Sequence, residues 1–461
     1  MIHRFERLNG IAHCKLPNNQ TEPVNRRFMM QTFSKTTGIS VVAANMIGTG
    51  VFTSLGFQLL GLQSPFVLMM LWLVGGITAL CGALTYAELG ANLPRSGGEY
   101  NFLTRLYHPC AGFVSGWVSA TVGFAAPVAL AAMTFAAYLS AVFPDLPRVP
   151  AALALILALS LSHCFSRHAS SRVQKLFTAL KFALIILFCL IIFVFGNSPQ
   201  AISFAPQQGD QGLIFSGAFA VALIYVNYAY TGWNAATYLT GEMDNPQRDL
   251  PMVLFFGTGI VMVLYLILNA SFLSAAPIPS LKGQMEVGVI VAEHALGGNA
   301  GKIMGAVLAL LLISTVSAMT MAGPRVLQMI GEDFKVFSKL AVCNAQGIPV
   351  AAILLQGAIA IFFVISATFE SVLIFSSFVL AINSLFSVLG IFIVRYKKLN
   401  IVGAYRTFGY PVTPLVYLAV TLWTLIYVLR ERPQEGLLGL AIIGVGILLY
   451  YLSKDKPTTI H

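Results

Sequence analysis

From Thr37 to Ser453 the chain is a near-continuous succession of apolar runs parted by short polar turns. Most runs approach the roughly 20 residues that a helix needs to cross a hydrocarbon core. Few folds are open to such a chain. Lipid gives the backbone no water to bond to, so each run has to close its own hydrogen bonds as a helix. Charged residues make up 10% of the sequence and mean hydropathy is +0.81, against roughly 25% charge in soluble domains. An all-α polytopic membrane protein is expected.

Reading the runs against Pro, Gly and charge gives about twelve spans. Their approximate limits are 37–60, 65–92, 112–143, 150–165, 171–196, 212–242, 250–276, 299–331, 349–366, 370–395, 411–430 and 435–453. Residues 1–36 form an N-terminal segment and 454–461 a tail. The first apolar run follows a polar stretch holding Arg4, Arg7, Lys15, Arg26, Arg27 and Lys35, which is not the layout of a cleaved signal. With that segment in the cytoplasm, the 27 Lys and Arg residues divide about 21 inside to 5 outside, Lys181 staying within a span. This is a strong positive-inside bias, and it puts both termini in the cytoplasm of a multi-pass plasma (bacterial inner) membrane protein. The net charge of +10 is thereby spent on orientation, and nucleic acid is not expected as a partner.

Two spans are interrupted. In the first, MIGTGVF carries Gly48-Thr49-Gly50, preceded by Met46 and Ile47; in the sixth, NYAYTGWNA carries Tyr230-Thr231-Gly232-Trp233-Asn234. Corresponding breaks in two halves of a membrane chain point to a transporter built from inverted repeats, with its site at mid-membrane. The first break frees amides at the start of a new half-helix, a setting for a carboxylate at Thr49 and Gly50; the bland alternative is glycine serving close helix packing. The second frees the carbonyls of Tyr228, Ala229 and Thr231 at a helix end, a setting for an ammonium group. Donors on one side and acceptors on the other suit a zwitterionic amino acid. Tyr230, Trp233 and Asn234 are candidates for reading its side chain.

Lys181 lies roughly 15 Å of helix beyond Arg172, a depth at which an ionisable group is costly unless paired or functional. Span eight contributes the hydroxyls of Ser314, Thr315 and Ser317, which can serve Lys181, a sodium ion or their own backbone. Glu88 reads as an interfacial ion-pair partner. Arg95, Glu99, Glu242, Asp244, Arg248 and Arg325 can pair with it or with one another in a cytoplasmic gate, although loop charges by themselves say little. The stretch MEVGVIVAEHAL reads as a short helix on the outer face, a lid or else a solvated loop. Six cysteines show no C-x-x-C pair, so neither metal nor cofactor is expected, and disulfides are not expected in cytoplasmic loops.

Together MIGTGVF, YAELGANLPRSGGEY, FTALK, YTGWNAATYLTGEMDNPQRDLP and AGPRV resemble the amino acid, polyamine and organocation (APC) transporter superfamily, most closely its L-amino-acid transporter-like branch. The resemblance runs in order from about residue 37 to 340. It implies five plus five inverted spans, residues 37–196 and 212–395, with two further spans over 411–453. It also implies alternating access around a central site, the substrate carboxylate on the Thr49 and Gly50 amides, and the amine on carbonyls of Met46, Tyr228, Ala229 and Thr231. A lysine matching Lys181 stands, in sodium-independent relatives, where cation-coupled ones hold sodium, bridging span one to span eight. Thr231 departs from the glycine usual in that branch and implies a smaller pocket. The expected function is sodium-independent exchange or proton-linked uptake of neutral, small to medium L-amino acids, with no obligatory protein partner. Alternatives are a polyamine or amine antiporter, which would want carboxylates in the breaks, and a sodium-coupled symporter; an enzyme would need a nucleophile and base or a metal cluster at depth.

Overall fold

The computed structural model describes residues 34–453 except 96, 166–170, 197–199, 201, 244, 400 and 402. The N-terminal basic residues before Lys35, the tail, Arg167 and Asp244 fall outside these, as do the side chains of Arg172, Lys175, Glu242 and Lys335.

Among the described residues there is no strand, and ten helices are long and apolar enough to cross a membrane. The first is counted across its break, Lys35–Gln58, and the others run Pro65–Asn92, Pro109–Val142, Arg148–Phe165, Leu176–Phe195, Pro246–Ala275, Gly298–Asp333, Phe369–Tyr396, Val412–Glu431 and Pro433–Leu452. The remaining two expected spans are shorter. Span six is cut to Gly217–Tyr230 by its break, and span nine, Val350–Ser366, is a 17-residue helix.

Local sequence fixes the ends. Ser64 accepts from the Val67 amide with Pro65 in the first turn of span two, and Thr368 caps span ten through the Ser371 amide, each supplying a partner to an orphan N–H. Inside the spans, Thr78, Thr85, Thr134 and Thr320 donate to carbonyls four residues back, which lets a hydroxyl sit in an apolar setting at little cost.

Spans two and seven lie along one another, as do spans three and eight. The first half of span one crosses span seven through two glycines: a Cβ on Gly38 would lie 2.8 Å from Val253 Cγ2, and one on Gly257 2.8 Å from Val42 Cβ. Such close approach is how helices gain dispersion energy where lipid removes the hydrophobic drive.

The outer helix expected from MEVGVIVAEHAL is present as Val287–Leu296, and it is packed, not solvated. Val287 and Val291 are fully buried, the Gly283 amide donates to the Gly56 carbonyl at 2.7 Å, and Arg148 pairs with Glu286 at 2.7 Å. Not anticipated is an amphipathic helix at the opposite end, Glu99–Leu106. Its apolar face, including Phe102, Leu103 and Leu106, is buried. Cys343 is disulfide-bonded, against the expectation of none; Cys81, Cys110, Cys164 and Cys189 are free thiols.

Glu88 has the ion pair expected of it, with a partner far along the chain. Arg395 Nε and Nη2 each donate to its carboxylate at 2.8 Å, and the Thr407 amide adds a third bond at 2.6 Å. Glu88 is fully buried and Arg395 is stacked 4.1 Å over the Tyr410 ring. Removing one partner of such a pair strands a charge. Arg395→Ala is expected to cost about 3–5 kcal/mol of folding stability, read as a fall in melting temperature, and Glu88→Leu in the same chain should recover much of it. An unchanged melting temperature for the single variant would refute the clamp.

Candidate substrate site

Span one consists of Lys35–Met46 and Gly50–Gln58. Across the gap the Gly48 amide donates to the Met46 carbonyl at 2.9 Å and the Phe52 amide to the Thr49 carbonyl at 3.1 Å. The Thr49 and Gly50 amides open the second half-helix and have no backbone acceptor among the described residues, as first-turn amides do not. Span six is helical through Tyr230, extended at Thr231 (φ −54°, ψ 135°), turned at Gly232 (φ 106°) and continued as a 3-10 helix, Ala235–Glu242.

The two breaks touch, and they do so reciprocally. A Cβ on Gly50 would stand 2.6 Å from Ala229 Cα, in the last turn of the first half of span six; a Cβ on Gly232 would stand 2.8 Å from the Asn45 carbonyl carbon, in the last turn of the first half of span one. Gly232 also needs its positive φ. At both points the backbones meet where any side chain would hold them apart.

The carbonyls expected to face an amine are less free than their place at a helix end implies. Tyr265 of span seven donates to the Met46 carbonyl at 2.6 Å and shares its hydroxyl with that of Ala229 at 3.0 Å. The Tyr228 carbonyl takes the Thr231 amide at 3.0 Å, because the turn folds that amide back. A carbonyl has two lone pairs, so Ala229 and Tyr228 each keep one, whereas Met46, which also takes the Gly48 amide, keeps none. The Thr231 hydroxyl is turned back on its own helix, 3.1 Å from the Asn227 carbonyl.

Lys181 is buried and donates to Thr315 Oγ1 at 2.7 Å. Lys181 and Thr315 line one cavity with Ile47, Gly48, Thr49, Phe52, Thr134 and Tyr138. The cavity measures about 10 Å³, room for about one water and too small for an amino acid. The other hydroxyls of span eight are elsewhere: Ser317 meets His163 at 2.9 Å, and the buried Ser314 Oγ has no partner among the described residues. Tyr230 packs its ring on Tyr265 and Trp72, away from this cavity. Trp233 stands edge-on to Tyr86 at 4.7 Å, and Asn234 donates to Glu99 Oε1 at 2.7 Å.

The site is shut from both ends. On the side of the Val287–Leu296 helix, Phe57, Tyr225 and Phe369 stack at 6.0 and 5.6 Å. Tyr225 donates to Glu370 at 2.6 Å, and Glu370 pairs with Arg432 at 2.7 Å. On the other side lie Trp233, Tyr86 and Glu99. Sequence reasoning missed Tyr265 and Tyr138, whose hydroxyl donates to the Phe52 carbonyl at 3.2 Å. The available signal was a phenol inside an apolar span, since a buried hydroxyl seeks a partner. Among the described residues no cluster of His, Cys, Asp and Glu could hold a metal.

Tyr265→Phe removes one hydroxyl and leaves two buried carbonyls short of a donor. It is expected to lower stability by about 1–3 kcal/mol, seen in the melting temperature, whereas the more exposed Tyr451→Phe should be neutral. Equal melting temperatures for the two would refute a tie between the breaks.

A family model for amino acid permeases matches residues 32–447. The chain is 27% identical to the human b(0,+)-type amino acid transporter 1 over 447 residues, covering 92% of this chain and 90% of that protein. It is 29% identical to the large neutral amino acids transporter small subunit 2 of Mus musculus over 438 residues, covering 90% and 80%. Broken spans in contact, an intramembrane lysine beside them and this match over most of the chain agree. The chain belongs to the amino acid permease family of the APC superfamily, in its L-amino-acid transporter-like branch, and is a multi-pass membrane transporter of amino acids, not an enzyme.

Proposed function

We propose that this chain carries neutral, small to medium L-amino acids across the plasma (bacterial inner) membrane by alternating access, without sodium, by exchange or with proton-linked uptake. Both termini lie in the cytoplasm, the two repeats are residues 37–196 and 212–395, and residues 411–453 are appended. The observation that carries this reading is the bond from Lys181 to Thr315 beside Gly48 and Thr49. A fixed ammonium group bridging span one to span eight can do what a bound sodium ion would do, holding the first break to the scaffold.

The substrate carboxylate meets the Thr49 and Gly50 amides, and its amine meets the remaining lone pairs of Tyr228 and Ala229 together with the Thr231 carbonyl. For this the cavity, about 10 Å³ as it stands, has to widen. Thr231, in place of glycine, limits substrate size. The cavity lining holds no carboxylate, which speaks against a polycation. One of the similar proteins is by name a small subunit; this chain is proposed to work without an obligatory partner.

Counterflow of labelled amino acids into proteoliposomes holding only the purified chain tests the whole reading. Alanine, serine or leucine should compete and arginine or agmatine should not, and choline should replace sodium without loss. Preference for a polyamine, or strict sodium dependence, overturns it. Lys181→Ala should slow counterflow about tenfold or more, equivalent to 1.4 kcal/mol or more in the barrier; turnover equal to the parent would dispose of the coupling role.

A further inference from the structure

Glu99 opens the helix that was not anticipated and is only 3% exposed, yet its partners are all neutral. Tyr86 of span two donates to Oε1 at 3.0 Å and Asn234 of span six to the same oxygen at 2.7 Å, while the Tyr238 hydroxyl, also of span six, takes Oε2. Tyr417 of span eleven completes the layer by packing on Trp233, and Ser119 of span three faces Tyr238. The titratable groups that face Glu99 from these elements are therefore three phenols. No Lys, Arg or His among the described residues bonds to it; the charge of Arg95, the basic residue nearest along the chain, acts on Tyr100 and Arg105.

Two of the three donors belong to the break and inner half of span six. That half-helix is pressed on the loop before Glu99, where a Cβ on Gly98 would lie 3.0 Å from the Tyr238 ring. Moving it away would break both bonds and let water reach the carboxyl. A carboxylate stripped of water and given no cation favours its neutral form, while hydrogen bonds from neutral donors oppose this. Here burial outweighs the bonds from Tyr238, Tyr86 and Asn234 and pushes the Glu99 carboxyl above the usual carboxylate range. Once hydrated, the group returns toward its ordinary value. The sign follows: the shut state has the higher proton affinity, so acid favours the shut state and opening sheds a proton.

We propose that Glu99 is a proton-binding site of the cytoplasmic gate, which holds a proton while the inner half of span six is shut and yields it to cytoplasmic water as the gate opens. The O–H bond of the neutral acid breaks, the proton passes to water, and a hydrated carboxylate remains. Cytoplasmic acid thus holds the carrier shut. The proposal rests on the transport reading and orientation given above.

Hydrogen exchange of the substrate-free chain in nanodiscs tests it without relying on transport, so failure of counterflow and failure of the gate remain separable. Rates over residues 232–243, corrected for the intrinsic effect of pH, are compared at about pH 5.5 and about pH 8. The wild-type segment should be several-fold better protected at the lower pH. Glu99→Gln, a permanent neutral stand-in, should stay protected at both. Tyr238→Phe, which keeps the carboxyl, should retain the pH dependence at lower overall protection. Protection that rises with pH in the wild type, or pH dependence that survives in Glu99→Gln, overturns the proposal.

Discussion

Everything in this structure turns on backbone groups left without helical partners inside a bilayer. Each unsatisfied N–H or C=O costs several kcal/mol there, so two interrupted helices are tolerable only if their loose ends are answered locally. They are answered unequally. The acceptors are largely met, by the Tyr265 hydroxyl and by the turn at Thr231, whereas the Thr49 and Gly50 amides keep their donors free. Unmet demand is therefore for negative charge, next to a buried ammonium group. A substrate carboxylate suits that environment before any side chain is considered.

The charged groups are spread over three levels, each with its own physics. Arg432 and Glu370 are partly exposed at the end closed by Phe57, Tyr225 and Phe369, Lys181 bonds to the Thr315 hydroxyl within its span, and Glu88 with Arg395 is locked at the opposite end. The Glu88–Arg395 pair is bidentate and stacked on an aromatic ring, so it anchors spans two and ten and the segment around Thr407 as a fixed frame. Glu99, a few residues beyond span two, has no such cation among the described residues. Of these carboxylates it is the one whose neighbours can be parted without leaving a stranded opposite charge.

Much of this was legible in the sequence. Length and apolarity are the whole requirement for a spanning helix, and the span limits fell within a few residues of the observed ones except in span six, expected over 212–242 and cut by its break to Gly217–Tyr230; the breaks were readable because Gly-Thr-Gly and Thr-Gly-Trp-Asn cannot be helix interior without cost. Lys181 stood out by depth. What stayed hidden depends on contacts between segments remote in sequence. Arg395 as the partner of Glu88, Tyr265 as the donor to two breaks, and Glu99 as the centre of three hydroxyl and amide bonds are properties of packing, and nothing local marks them. Ser317, grouped with Ser314 and Thr315 by adjacency, points elsewhere because successive helical residues face different neighbours.

The amide of Gly283 rests on the carbonyl of Gly56, and a Cβ on Gly56 would collide with the Gln284 carbonyl oxygen at 2.0 Å. The segment that leads into the Val287–Leu296 cover is thus seated on the same half-helix whose first turn presents the Thr49 and Gly50 amides. Cover and amides make up one lever, with one arm on the cover and the other at the first break. A displacement of the cover is passed along that half-helix, so the free amides cannot keep their aim while the cover moves.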